Sequence, residues 1–212
     1  MPLLGVIIEH LEPVLSKWLF LEYKHTAELA RPYTLTITNV KDPDERVALS
    51  SFSDPREESV TELGISPKSL LILDPQAPHT LFPQDFEEPT YLVVGGIMGD
   101  YPPQGRTYEL LTRRISGART RNIGSEQFPI NCAVHVALMV SRGLTLSEIP
   151  IISSLEIKTS EFHSILLPYA YPLYLGKPLI SEEVIDYLLY EIEEDEAEAV
   201  KTRKMPSVGK RS

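Results

Sequence analysis

Residues 90–107 read TYLVVGGIMGDYPPQGRT, and this stretch decides the fold of the 212-residue chain. Tyr91, Leu92, Val93 and Val94 form a short unbroken apolar run, the pattern of a strand covered on both faces in a parallel sheet. Gly95 and Gly96 follow at once, then Ile97, Met98, Gly99 and Asp100. Glycines there let the main chain turn and approach a ligand with no β-carbon in the way. The carboxyl end of a strand is also where open α/β sheets bind ligands. Two adjacent glycines serve an ordinary turn equally well, so spacing alone leaves both readings open. The dinucleotide fingerprint is excluded, because it needs Gly-x-Gly-x-x-Gly opening directly into a helix. Tyr101, Pro102 and Pro103 stiffen the loop, and residues 106–114 read as the helix that leaves it.

Outward from this stretch the pattern alternates strands with helices. Residues 3–8 form a buried-type strand, and Glu9-His10-Leu11-Glu12 follows at its end, with acidic side chains candidates to face the cleft. Glu9 is the first candidate to touch substrate, with capping of the next helix as the equal alternative. Val14, Trp18, Leu21 and Leu29 recur at helical spacing, so WLFLEY is a core-facing stripe. YTLTITNV (33–40) alternates and is β-branched, hence a strand. Residues 42–63 read as short helices and loops, and residues 70–73 as a third strand stopped by Asp74-Pro75. Residues 119–123 read as a fifth strand. Residues 130–142 form a helix apolar nearly all round, closed by Gly143. Residues 149–180, with Tyr169, Tyr171 and Tyr174 among prolines, read as an added β ribbon. Ser181 caps a final helix to residue 194, and the charged residues beyond it are expected to fray.

The totals narrow the function classes. With 42% hydrophobic and 24% charged residues the composition is that of a soluble globular domain, and no apolar run approaches the ~20 residues a membrane span needs. The opening MPLLGVIIEHLEP lacks a basic n-region and a small-residue cleavage site, so the expectation is a cytoplasmic protein. Cys132 is the single cysteine, and the five histidines are scattered, so no metal site is expected. A net charge of −10 favours a basic partner over a phosphate backbone. The cluster Arg113, Arg114, Arg119 and Arg121 is the one basic patch that could meet RNA.

GGIMGDYPPQGRTYEL, together with IIEHLE, WLFLEY and LILDP, resembles a small family of the SPOUT class, the trefoil-knotted methyltransferases, over residues 6–192. The family's yeast member modifies an arginine of a ribosomal protein. The resemblance implies an α/β knot fold: a mostly parallel sheet flanked by helices, a C-terminal trefoil knot and an additional C-terminal β ribbon. It divides the chain into a core at 1–148, an extension at 149–194 and a charged tail at 195–212. It implies S-adenosyl-L-methionine as cofactor, held by Leu73, Asp74, Gly95, Gly96, Ile97, Met98, Gly99, Ile123, Gly124, Gln127 and Phe128.

A methyl transfer from a sulfonium is mainly a problem of holding the nucleophile in line and excluding water. An arginine nucleophile is protonated in water, with a pKa above ~12, so carboxylates must orient it and take a proton as the bond forms. Asp100 and Glu9 are the candidates for that work, with Glu109 and Asp74 behind them. The expected substrate is a basic, ribosomal protein; the alternative is a tRNA or rRNA, which would call for a cationic rim. The extension is expected to cover a dimer face and leave a monomer.

Overall fold

The computed structural model describes residues 3–99, 104–159 and 163–210. Strands β1 (Leu3–His10), β2 (Leu35–Thr38), β3 (Asp54–Pro55), β4 (Leu70–Leu73), β5 (Thr90–Gly96) and β6 (Arg119–Arg121) form a six-stranded sheet in the order β3-β2-β1-β5-β4-β6. Every pairing in it is parallel. The longest is β1 with β5, in register from Gly5↔Tyr91 to His10↔Gly96 after a shift between Leu3 and Gly5. The carboxyl ends of β4, β5 and β6 therefore open at one edge, where the glycine stretch leaves the sheet.

The period-2 pleat distributes the apolar runs between two cores. Val6, Ile8, Leu71, Leu73, Leu92 and Val94 face helices α1 (Lys17–Leu29) and α4 (Ile130–Ser141). Ile7, Leu70, Ile72 and Val93 face the other way, against Val60, Leu111 and Ile115. Coverage on both faces is why these strands read as continuous apolar runs. Ser16 caps α1 by accepting from Leu19 N at 3.3 Å. Gly143, at φ +106, closes α4 with its N–H on Val140 O while Leu144 N reaches back to Met139 O.

Three local expectations change. The helix after the glycine loop is α3 (Arg106–Leu110), which breaks at Leu111 and continues only as a 3-10 turn over Thr112–Arg114. The final helix divides at Glu191 into α5 (Glu182–Tyr190) and α6 (Ile192–Thr202), and the bend folds Asp195 back to accept from the buried Tyr187 hydroxyl at 2.8 Å. The segment expected to fray is helical to Thr202 and then docks on α2 (Pro43–Leu49) and the approach to α1. Val208 N donates to Leu15 O at 2.9 Å, and Ser207 Oγ donates to the buried Glu45 at 2.6 Å. Charge composition predicted a solvated tail; a specific buried acceptor, invisible in the sequence, holds it.

The extension is β-rich as expected. β7 (Ile151–Ile152), β10 (Tyr171–Tyr174) and β11 (Lys177–Pro178) pair antiparallel, and β8 (Leu155–Lys158) pairs with β9 (Ser164–Leu167). Ile157, Leu167, Tyr171, Val184, Tyr187 and Leu188 share one apolar cluster with Leu21 and Cys132 of the core helices. Among the described residues no helix is long and apolar enough to cross a membrane.

Gly96 shows how tightly β5 is fixed. A β-carbon there would lie 2.0 Å from the Tyr23 hydroxyl, 2.9 Å from Ile8 Cγ2 and 3.0 Å from the Glu9 carbonyl. Tyr23 is fully buried and the carbonyl belongs to the sheet, so neither can yield cheaply. Gly96→Ala is expected to lower the unfolding free energy by ~3 kcal/mol, the cost of overpacking a closed core. Wild-type midpoints in urea would contradict this packing.

Candidate functional site

A cavity of about 220 Å³ opens at the carboxyl edge of the sheet. Leu73 and Asp74 line it from the end of β4, Val94 to Gly99 (without Gly96) from β5, and Ile123 to Phe128 from the turn after β6. Residues 104–107 close one side, and Ile130 and Ala133 of α4 form part of the floor. Gly124 sits at φ +103 with open space where its β-carbon would be, so the main chain itself faces the cavity there.

The structure brings together Leu73, Asp74, Gly95, Ile97, Met98, Gly99, Ile123, Gly124, Gln127 and Phe128, and it leaves out Gly96 and Glu9. Gly96 is turned under Tyr23, and its role is packing rather than ligand approach. Glu9 shares the pleat face of Ile7 and is only 4% exposed. Its carboxylate accepts from Thr38 Oγ1, from Ser59 Oγ at 2.6 Å and from Val60 N at 2.9 Å. Glu9 thus caps the 3-10 turn Val60–Glu62 instead of α1, and it cannot reach the cavity. Asp100 lies outside the described residues. Glu109 is exposed and paired with Arg113 on its own helix. Asp74 is 2% exposed and accepts from Gln76 N at 2.8 Å, which shapes the turn after β4.

What the sequence did not signal is how the glycine loop is braced. Glu12 Oε1 accepts from Met98 N at 2.8 Å and from Arg106 Nη2 at 3.0 Å. On the other side Tyr169 donates to Gly99 O at 2.8 Å, and a β-carbon on Gly99 would lie 2.6 Å from Gln127 Nε2 and 2.7 Å from the Tyr169 ring. Arg106 and Gln104 line the cavity as well. The only hint of them was the short Pro-Pro-Gln-Gly-Arg turn, whose Gly105 adopts φ +68.

The basic patch also resolves differently from its sequence reading. Arg119 donates to Asp85 O at 2.7 Å and Thr90 Oγ1 at 2.6 Å, and Arg121 pairs with Asp85 at 2.6 Å. These guanidiniums fasten β6 to the loop before β5. Only Arg113 and Arg114 of the cluster remain on an exposed turn.

The family profile described as protein arginine N-methyltransferase SFM1-like matches residues 5–195. The chain belongs to the SFM1-like family of protein arginine N-methyltransferases. It is 26% identical over 197 residues to protein arginine N-methyltransferase SFM1 of Saccharomyces cerevisiae, covering 86% of this chain and 92% of the relative. The crystal structure of the yeast arginine methyltransferase SFM1 complexed with SAH superposes with a TM-score of 0.76 at 25% identity, covering 87% of this chain and 94% of that one. Its complex with SAM gives a TM-score of 0.81 at 24% identity, over 92% and 94%. A dual specific Trm10 from Thermococcus kodakaraensis shares the fold at a TM-score of 0.52 and 22% identity, over 68% of this chain and 95% of that one.

The SFM1-like cavity suits a sulfonium nucleotide. Leu73, Val94, Ile97, Phe128 and Ala133 supply apolar surface for a base, and the strand-end main chain supplies donors and acceptors. Among the described residues the buried Gln127 Oε1 has no hydrogen-bond partner. Among the described residues no group of His, Cys, Asp and Glu could hold a metal ion.

Behind the floor, Glu22 of α1 is fully buried, and burial raises its pKa to about 7 against the pull of two N–H donors. Its oxygens accept from Trp18 Nε1 at 2.8 Å and from Ile130 N, the first residue of α4, at 3.1 Å. The folded state holds this proton more tightly than the unfolded chain does, so the stability it contributes is complete below pH 4.5 and is lost as pH rises through about 7. The stability of wild type relative to Glu22→Gln is therefore expected to fall by ~3 kcal/mol across that window. Urea unfolding of both proteins at pH 4.5 to 8 measures it, and a constant difference would show that Glu22 does not titrate there.

Proposed function

We propose that this chain methylates an arginine of a basic, ribosomal protein, with S-adenosylmethionine bound in the cavity between the glycine loop and the turn after β6. The observation that carries the reading is that cavity: glycines, main chain and apolar walls converge on it from the ends of β4 and β5 and from the turn after β6. Leu73, Gly95, Ile97 and Phe128 would hold the nucleoside and methionine portions against the sheet edge. When bound, S-adenosylmethionine supplies an electrophilic methyl: the new N–C bond forms as the S–C bond breaks, its electron pair stays on sulfur, and the nitrogen releases a proton.

The protein's task is then positional. The walls exclude water from the reacting pair, and the braced loop fixes the direction of approach. A guanidinium gives up its proton only as bonding to carbon proceeds, which calls for a carboxylate beside the nitrogen. Asp100, next in the chain after cavity-lining Gly99, is our candidate for that base. A basic protein substrate agrees with the net charge of −10 and with Arg119 and Arg121 being engaged by Asp85 and Thr90 of their own fold.

Two measurements test this. With labelled S-adenosylmethionine and ribosomes of the source organism, the label is expected to be released by protease and to resist ribonuclease; the reverse result would establish an RNA substrate and remove the protein one. Asp100→Asn is expected to lower kcat by ~10²-fold or more while the affinity for S-adenosylmethionine stays near wild type. An unchanged kcat would exclude Asp100 as the base.

A further inference from the structure

Arg106, which lines the cavity, holds its guanidinium against the carboxylate of Glu12, which stands next to the lining rather than in it. Glu12 Oε1 takes Arg106 Nη2 at 3.0 Å, and Arg106 Nη1 lies 3.3 Å from the Met98 carbonyl. Arg106 and Met98 both line the cavity. The Glu12 side chain is 14% exposed and that of Arg106 is 31%. Glu12 Oε2 accepts no hydrogen bond among the described residues, which leaves an acceptor for a second guanidinium N–H.

Bracing the loop explains only half of this arrangement. The bond from Met98 N needs a neutral acceptor, and a glutamine oxygen would serve. A full negative charge is needed only toward a cation. A partly exposed ion pair such as Glu12 with Arg106 is weakly stabilising, so exchanging one guanidinium for another on that carboxylate costs little. An incoming arginine presents the same planar fork, whereas a lysine ammonium is a point charge that does not match it.

We propose that Glu12 receives the arginine side chain of the substrate, and that Arg106 occupies this carboxylate until the substrate displaces it. The proposal rests on the arginine-methylation reading above and adds to it the residue that selects a guanidinium. Glu12 is here a binding residue, separate from the base that takes the proton.

The test uses the full chain loaded with S-adenosylhomocysteine and titrated by NMR with N-acetyl-arginine amide, then with N-acetyl-lysine amide. Glu12→Gln keeps the acceptor for Met98 N, so its affinity for S-adenosylhomocysteine is expected to stay within about twofold of wild type while its affinity for the arginine probe falls ~5-fold. Arg106→Gln, which removes the internal competitor, is expected to bind the arginine probe several-fold more tightly than wild type. The proposal is overturned if Glu12→Gln binds the arginine probe like wild type, or if Arg106→Gln gains no affinity. It is also overturned if Glu12→Gln loses S-adenosylhomocysteine and arginine affinity in parallel, since Glu12 would then act only as a loop brace. Failure of wild type to bind S-adenosylhomocysteine would instead overturn the methyltransferase reading, and this proposal with it.

Discussion

The parallel pairing of β1 with β5, closed at its carboxyl end by the contact of Tyr23 with Gly96, is the constraint on which the site depends. With no room for a β-carbon at Gly96, the Tyr23 hydroxyl sits against the strand and takes a 3.0 Å contact with His10 Nδ1. Burial lowers the pKa of His10 and raises that of Tyr23, so the two meet as neutral partners at neutral pH. A neutral, fully packed strand end gives the glycine loop a fixed origin. From there the chain can present main-chain atoms to a ligand with little freedom left to lose on binding.

A second theme is the use of buried carboxylates to capture main-chain N–H groups where a loop must stop. Glu9 takes Val60 N, Glu22 takes Ile130 N, Glu45 takes Leu15 N at 2.8 Å, and Glu12 takes Met98 N. Each charge-assisted bond satisfies a donor that would otherwise be orphaned in the interior. Part of the acidic excess is therefore internal framework, and net charge alone overstates how acidic a surface meets a partner. The same holds for the cations: Arg119 and Arg121 count as a basic patch in the sequence and as fasteners in the fold.

This internal use of charge explains what the sequence could and could not tell. Apolar periodicity located β1, β4, β5, α1 and α4, because burial on both faces or all round leaves an unambiguous pattern. The glycine stretch marked one wall of the cavity, and the family resemblance supplied Ile123, Gly124, Gln127 and Phe128 of the facing one. Choosing among the carboxylates after β1 was a different matter. Glu9 and Glu12 are three residues apart, and which one meets the glycine loop depends on where the strand ends and its pleat stops governing direction. The strand runs two residues further than the apolar run suggested, to His10, and that extension buries Glu9 on the Val60 side. The break at Glu191 and the docking of residues 207–210 likewise depend on partners distant in sequence, Asp195 with Tyr187 and Ser207 with Glu45.

The extension belongs to the site rather than beside it. Tyr169 donates to Gly99 O, and the next residue, through Ala170 N, donates to Gln127 O at 2.8 Å. One dipeptide thus ties together the two loops that face each other across the cavity, the glycine loop after β5 and the turn after β6. Its own position is fixed by Tyr171, buried in the cluster that joins the ribbon to Leu21 and Cys132. A loop held from one side only would be free to widen the cavity; held from Glu12 on one flank and Tyr169 on the other, it cannot. A core without the strap would leave Gly99 and Gln127 without their shared tether, and the family match runs through the ribbon to residue 195.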